Sequence, residues 1–193
     1  MGTLQQNIDA AEAMLVSLRG LDDLVERAAK LISDALAAGQ KLLACGNGGS
    51  AAEAGHLTTE LVSRFRRDRR PYPAICLNAH GGDLTAIAND YAFDDVFARQ
   101  VDAFAQPGDV LVAITTSGRS TNVQRAVESA SRRNVRIVTL LGRDGGTLRN
   151  AADVELLVDA SDTARIQEGH LLLIHAICQC IEQRLGHDAS PAR

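Results

Sequence analysis

Residues 41–64 read KLLACGNGGSAAEAGHLTTELVSR. The first five residues, 41–45, form a short apolar run that predicts a buried strand, and the glycines of 46–50 predict a tight turn. The alanine-rich segment 51–64 then predicts a helix. A strand, a glycine turn and a helix in this order are typical of α/β proteins with a parallel sheet.

Four further apolar runs of strand length follow this unit, with helical patterns between most of them. Because each run is almost continuously apolar, each strand should be covered on both faces, as in parallel sheets with right-handed crossovers. We therefore predict a doubly wound α/β fold with a five-stranded parallel sheet. Its strands are expected at 41–45, 73–77, 109–114, 136–141 and 154–158.

Helical periodicity marks both ends of the chain. Before the first strand it predicts two amphipathic helices in a helical hairpin, a common device for oligomerisation, and residues 163–185 predict a long final helix. The 193 residues show no linker and no repeat, so we predict one domain. Its parts are the N-terminal oligomerising helices at 1–38, an α/β core at 39–187 and a tail at 188–193.

Composition narrows the functional classes. The net charge of -4 argues against nucleic-acid binding, which requires a broad surface of Lys and Arg. The four cysteines lie in apolar runs, which predicts buried thiols in a reducing compartment, although Cys178 and Cys180 could also form a metal-binding pair. The acids and amides within 1–18 argue against a signal peptide and a membrane span, so we expect a cytoplasmic protein without a membrane partner.

Two polar loops follow predicted strands, at the edge where open parallel sheets bind ligands. In the loop 46–50 the glycines let the backbone approach a ligand, and Ser50 can cap the next helix and offer a hydroxyl. In the loop 115–120 hydroxyl and N–H groups at a helix N-terminus predict an oxyanion site. Each loop alone could be a simple glycine turn. Neither has Walker or dinucleotide-binding spacing, so we predict no nucleotide cofactor.

Two sets of polar residues on helices are candidates for chemistry. His56 and Glu60 lie four residues apart on one helix face, where they can hold a divalent metal, perform acid–base catalysis or form a plain surface pair. On the final helix, His175 lies in an apolar stretch and is either a core residue or a functional one. Periodicity favours Glu168 over Gln167 as its partner, because eight residues turn Gln167 about 80° further around the helix.

Six groups of residues, spread over nearly the whole chain, form a recognisable set. They are CGNGGS at 45–50, AGH at 54–56 with Glu60–Leu61, LTAIAND at 84–90, GDVL at 108–111, TSG at 116–118 with Ser120 and Asn122–Val123, and RIQE at 165–168 with His170 and His175. With these motifs the chain resembles the sugar isomerase (SIS) domain family, and within it the phosphoheptose isomerases. The resemblance implies the flavodoxin-like SIS fold and a homotetramer with sites near the subunit interfaces.

The resemblance also implies an activity: isomerisation of sedoheptulose 7-phosphate to D-glycero-D-manno-heptose 7-phosphate, or a close epimer, as the first step of nucleotide-activated heptose biosynthesis. The family's base and acid match Glu60 and His175, and the ligands of its one zinc ion per subunit match His56, Glu60, Gln167 and His175. The substrate contacts that match or that the loops suggest are Asn47, Gly48, Gly49, Ser50, Asn89, Asp90, Thr115, Thr116, Ser117, Ser120 and Gln167.

Some features depart from the family pattern or admit a second interpretation. The residues at 53, 55, 80 and 82 differ from those of most relatives and bear on the choice of sugar. The basic run 64–70 is either the solvated end of a helix or a segment whose Arg64 reaches substrate.

The main alternative function is a non-catalytic SIS adaptor that binds a replication initiator protein. Since Glu60 and His175 are both present, the enzyme is favoured, and the chain has no room for the DNA-binding domain of a sugar-phosphate-sensing regulator.

Overall fold

The computed structural model describes residues 2–186; residue 187 of the predicted core and the predicted tail at 188–193 lie outside it. Strands and helices alternate along the chain. The strands are β1 Leu42–Gly46, β2 Ala74–Cys76, β3 Val110–Thr115, β4 Arg136–Gly142 and β5 Val154–Val158. The helices are α1 Thr3–Leu18, α2 Asp22–Ala37, α3 Gly49–Val62, α4 Gly81–Asp90, α5 Ala98–Phe104, α6 Thr121–Arg132 and α7 Thr163–Leu185.

The five strands form one parallel sheet in the order β2-β1-β3-β4-β5. This confirms the predicted doubly wound, flavodoxin-like architecture, and each strand lies within two residues of its predicted limits. The edge strand β2 begins at Ala74, after Pro73, because proline has no N–H to donate to a ladder. The order makes β1 and β3 neighbours, so the loops that follow them meet at one edge of the sheet.

Two apolar cores cover the two faces of the sheet. Because successive strand residues point to opposite faces, Leu42 and Ala44 of β1 enter the core beneath α2, α3 and α7, whereas Leu43 and Cys45 enter the core beneath α5 and α6. Most strand positions are therefore apolar, which is the pattern that predicted a parallel sheet; Arg136, Thr139 and Glu155 are among the exceptions.

The two N-terminal helices are present where they were predicted. A single turn of 3-10 helix, Arg19–Leu21, joins them, and both pack against α7 more extensively than against each other. On α1, Met14 is buried, but Leu4 and Val16 remain exposed. Among residues 2–186, no helix combines the length and the apolar character that a membrane span requires.

The helices α3 and α7 lie side by side on the sheet and run in the same direction. In each contacting pair, the α7 residue follows its α3 partner by nearly the same number of positions in the sequence. From the N-terminal ends onward, these pairs are Gly49 with Gln167, Glu53 with His170, and His56 with His175.

Candidate active site

The two predicted ligand loops line one cavity of about 260 Å³. It lies at the carboxyl ends of β1 and β3, where the topology brings the loops together. All but one of its lining residues were predicted from the sequence; the addition is Thr163, the first residue of α7. The full set is Asn47, Gly48, Gly49, Ser50, Thr115, Thr116, Ser117, Ser120, Thr163 and Gln167.

The first loop is held in shape by its glycines and by one amide. Gly48 has a φ of 57°, in the left-handed region that favours glycine. Asn47 and Asn122 exchange two side-chain hydrogen bonds, of 2.8 and 2.9 Å, which tie the loop to the start of α6. The prediction that Ser50 caps the helix is wrong, because α3 already begins at Gly49 and Ser50 lies buried within its first turn.

The second loop gathers hydroxyl groups at the N-terminus of α6. The Thr115 hydroxyl lies 3.1 Å from that of Ser120 and 3.4 Å from that of Ser117. The N–H of Arg119 donates to the Ser117 hydroxyl at 3.2 Å. Hydroxyl donors at the positive end of a helix dipole can bind an oxyanion, so this end of the cavity suits a phosphate group.

Gln167 forms the wall of the cavity opposite the first loop. Its side-chain amide packs over the Cα of Gly49 so closely that a Cβ at Gly49 would come within 2.7 Å of Gln167 Cδ. Glu168, which periodicity favoured, points elsewhere and accepts a 2.6 Å hydrogen bond from Arg165. The glycine at 49 thus makes room for the Gln167 amide.

A second group of polar side chains lies further along α3 and α7. His56 Nε2 is 2.9 Å from His175 Nε2 and 3.3 Å from Glu60 Oε1. One potential metal-binding atom from each of these three residues lies within 4.8 Å of the others. We call these three residues the His/Glu cluster.

The His/Glu cluster has the chemistry and the size for a zinc ion. Tetrahedral zinc with bonds of about 2.0–2.1 Å holds its ligand atoms about 3.3 Å apart. The distance between His56 and Glu60 already has this value, and the distance between the two imidazoles is 0.4 Å shorter. The third pair of atoms, on Glu60 and His175, lies within 4.8 Å, so two imidazoles and a carboxylate can hold the ion after a small adjustment of the side chains.

Within one chain, Gln167 lines the cavity but lies away from the His/Glu cluster, and two other predicted contacts lie away from both places. Gln167 does not join the His/Glu cluster, since it is eight residues, or about 12 Å of helix, from His175 and faces Gly49 instead. Asn89 and Asp90 lie at the exposed end of α4, hydrogen-bonded to each other, and do not line the cavity.

Comparison with known proteins identifies the family. Residues 6–142 match the family described as the SIS domain. The chain belongs to the SIS domain family. It is 50% identical to a phosphoheptose isomerase of Geobacter sp. (strain M21) over 173 aligned residues. The aligned region covers 89% of this chain and 90% of that relative. The resemblance to phosphoheptose isomerases is thereby confirmed, and so is the prediction that this SIS chain belongs among enzymes.

Solved structures give the same result. The phosphoheptose isomerase of Neisseria gonorrhoeae superposes with a TM-score of 0.86 at 42% identity, over 94% of this chain and 100% of that one. The phosphoheptose isomerase of Francisella tularensis superposes with a TM-score of 0.90 at 36% identity, over 95% of this chain and 100% of that one. The SIS fold is thus shared over nearly the whole chain.

The basic run 64–70 of this SIS chain has a structure that neither interpretation of the sequence foresaw. Helix α3 ends at Val62 and not at Arg64, so Arg64 lies exposed beyond the helix. Within the run, Arg69 is buried, with its side chain 3% exposed, and its Nε lies 3.4 Å from Glu182 of α7. No local sequence pattern indicates this pair, because its members are distant in the chain.

Glu53, one of the departures from the family pattern, faces a buried histidine. Its Oε2 lies 3.6 Å from His170 Nδ1, between the cavity and the His/Glu cluster. The other ring nitrogen, His170 Nε2, is 3.0 Å from the carbonyl oxygen of Leu141. A carbonyl oxygen only accepts, so Nε2 carries a proton and donates it there.

The cysteines are unpaired thiols. Burial raises the pKa of both Cys45 and Cys178 to about 12, which keeps these thiols protonated. Cys180 donates to Glu26 at 3.3 Å and lies two residues from Cys178, a spacing that does not place two side chains on one helix face. The prediction of buried thiols is confirmed for Cys45 and Cys178, whereas Cys76 and Cys180 are half-buried, and the spacing does not support a Cys178–Cys180 metal pair.

Proposed function

We propose that this SIS chain is a phosphoheptose isomerase that converts sedoheptulose 7-phosphate to D-glycero-D-manno-heptose 7-phosphate, or a close epimer, through an enediol. The reaction would open the synthesis of nucleotide-activated heptose. The observation that carries the proposal is the presence, on two adjacent helices, of an oxyanion cavity and a His/Glu cluster. The names of the relatives support the choice of a seven-carbon sugar phosphate.

The cavity is proposed to bind the phosphate end of the substrate. Thr115, Thr116, Ser117 and Ser120 offer hydroxyl and N–H groups beside the α6 N-terminus, and Asn47 and Gln167 offer amides for sugar hydroxyls. At about 260 Å³ the cavity is smaller than the 300–1,000 Å³ typical of ligand pockets. It can therefore enclose one end of the ligand, and another surface must enclose the rest.

The His/Glu cluster is proposed to move the protons. Isomerisation requires a base that removes a proton from C1 of the ketose and returns it to C2, and an acid that moves the hydroxyl proton between the two oxygens. Glu60, a half-buried carboxylate, is assigned the first task, and His175 the second. The neutral enediol lies between the two transfers, and the enzyme is unchanged after each turnover.

Zinc is the proposed cofactor, one ion per subunit, and no nucleotide is required. His56, Glu60 and His175 would hold it, with Gln167 as the fourth ligand that the family implies. When bound, zinc supplies a Lewis acid that stabilises negative charge on the substrate oxygens. Glu60 is assigned to both metal binding and base catalysis.

The active site is proposed to form between subunits of a homotetramer. Gln167 lies about 12 Å along α7 from His175 of the His/Glu cluster, so a second copy that places its cavity against this cluster would unite all four zinc ligands. Such packing would also bring Arg64, Asn89 and Asp90 toward substrate. Exposed apolar side chains on α1 offer a surface for such an assembly. We further propose that one SIS domain accounts for the chain and that it acts in the cytoplasm, where its unpaired thiols stay reduced.

Conversion of Glu60 to Gln tests the proposal. Loss of the base should lower turnover by about 10²–10⁴-fold, while binding of the sugar phosphate persists. Turnover is measured by incubation with sedoheptulose 7-phosphate and NMR detection of the aldose, with and without a chelator. Binding of the sugar phosphate is measured by calorimetric titration. Glu168→Gln is the matched control, because Glu168 does not line the cavity. Undiminished turnover by Glu60→Gln would refute the assignment, and an inactive wild-type chain would favour the adaptor.

A further inference from the structure

A single buried carboxylate fixes the segment that follows α3. Glu182 of α7, with its side chain 5% exposed, accepts hydrogen bonds from three consecutive backbone N–H groups. These belong to Phe65 at 3.1 Å, Arg66 at 3.1 Å and Arg67 at 3.2 Å. Because irregular backbone normally leaves its N–H groups to water, this carboxylate gives residues 65–67 a defined place against α7.

Arg69 extends the same connection to the end of α3. Its guanidinium donates to the carbonyl oxygens of Glu60 at 2.6 Å and Leu61 at 2.9 Å, which are among the carbonyls that a helix C-terminus leaves unpaired. The same side chain faces Glu182. The pair thus joins the helix that carries Glu60 to the helix that carries His175.

The fixed segment places an aromatic ring on the imidazole of the His/Glu cluster. The rings of Phe65 and His175 are 5.6 Å apart between centroids and inclined by 28°, a stacked arrangement. Arg66 lies 5.0 Å from the Phe65 ring and donates to Gln179 of α7 at 2.8 Å, which holds the segment at a further point. A stacked neighbour limits rotation of the imidazole and excludes water from one of its faces.

We propose that Phe65 is a positioning residue for His175, and that Glu182 holds Phe65 in this position. The stack keeps Nε2 of His175 directed at His56 and Glu60, where the proposed proton transfer takes place. Phe65 does not line the cavity proposed for the phosphate end, so its proposed action is through the imidazole that it stacks on. The kinetic part of this inference rests on the proposed isomerase function, whereas the structural part does not.

The variants Phe65→Leu and Phe65→Tyr test the proposal, with Phe104→Leu as a matched control at a partly exposed phenylalanine. The chain has five histidines, so selective ¹³C labelling at Cε1 gives few signals, and the His175 signal is assigned by its loss in His175→Gln. Phe65→Leu should shift the His175 Hε1 resonance by removing the ring current, whereas Phe65→Tyr and Phe104→Leu should leave it near its original position.

Kinetics provide the second readout. Misplacement of a catalytic group by about 1 Å can cost roughly 100-fold, so we expect kcat to fall by 10-fold to 100-fold in Phe65→Leu with KM changed less than threefold. Phe65→Tyr should retain most of kcat. Glu182→Gln should change the same resonance and kcat in the same direction.

Two results would overturn the inference. One is a His175 resonance that Phe65→Leu leaves unmoved, which can be observed whether or not the wild-type chain is an isomerase. The other is a folded Phe65→Leu protein with unchanged kcat, or one whose apparent kcat falls only in proportion to the folded fraction. A shifted resonance in a wild-type chain without isomerase activity would support the stack and refute the proposed function alone.

Discussion

Substitution of Gly49 by alanine should change the shape of the candidate active site and lower kcat/KM, while it leaves the stability of the fold nearly unchanged. Gly49 is the first residue of α3 and is not among the positive-φ glycines, so its backbone accepts alanine. The added Cβ would lie 2.7 Å from Gln167 Cδ, where ordinary contacts begin at 3.4 Å. Cδ must therefore withdraw by about 0.7 Å, the difference between these two distances, and the amide Nε2 must move further because it lies closer to the added Cβ.

The expected effect on catalysis is large and the effect on stability is small. A displacement of about 1 Å in a group that positions substrate can cost roughly 100-fold in kcat/KM, or about 2.7 kcal/mol. Alanine in place of a helical glycine stabilises a protein by about 0.4–1 kcal/mol, which offsets the displacement of one flexible side chain. We therefore expect Tm to stay within about 4 °C of the wild-type value.

The assay is a double-mutant cycle of kcat/KM with sedoheptulose 7-phosphate. Gly49→Ala, Gln167→Ala and the double variant should lose activity to a similar extent, because each removes the same contact. Gly55→Ala in the same helix is the control, since a Cβ there would meet only Cys76 Sγ at 4.0 Å. Losses that multiply in the double variant, or a Gly49→Ala enzyme within threefold of wild type, would refute the reasoning.

Three other predictions follow from buried groups and from the divided site. Asp109→Ala removes a fully buried carboxylate that accepts three hydrogen bonds, so urea unfolding should show a loss of about 3–5 kcal/mol; a loss below 1 kcal/mol would contradict this. With pKa values of about 12, Cys45 and Cys178 should resist iodoacetamide at pH 8 in the native protein and react after denaturation, as mass spectrometry can establish. Glu60→Gln and Gln167→Ala proteins should each be poorly active alone. After their subunits exchange at random, about one composite site in four receives an intact Glu60 from one chain and an intact Gln167 from another, so about a quarter of wild-type activity should return. Unchanged activity after verified exchange would place each site within one chain.

The sequence was sufficient for the sheet and for most of the cavity, because both depend on local patterns. A strand buried on both faces is apolar at most positions, and the carboxyl ends of parallel neighbours share one edge. The loops at 46–50 and 115–120 could therefore be predicted to lie together. Thr163 was missed because it belongs to a helix start that approaches the cavity from the opposite end of the chain.

Other features depend on which elements pack together, and local patterns do not contain that information. Arg69 was read as part of a solvated basic run, yet it is buried because Glu182, more than a hundred residues later, lies opposite it. Likewise, periodicity along α7 favoured Glu168 over Gln167. The neighbouring helix decides the matter: Gly49 of α3 leaves space for the amide at 167, while Glu168 pairs with Arg165.

The parallel packing of α3 and α7 also explains why the proposed site needs more than one chain. Because the two helices keep a constant register, Gln167 and His175 face residues of α3 that are themselves seven positions apart. Rotation of a side chain cannot close the gap of about 12 Å between Gln167 and His175 along the helix axis. Within one chain the register therefore keeps the amide beside the cavity and the imidazole beside His56. The proposed zinc site with all four ligands would then need its Gln167 from a second copy.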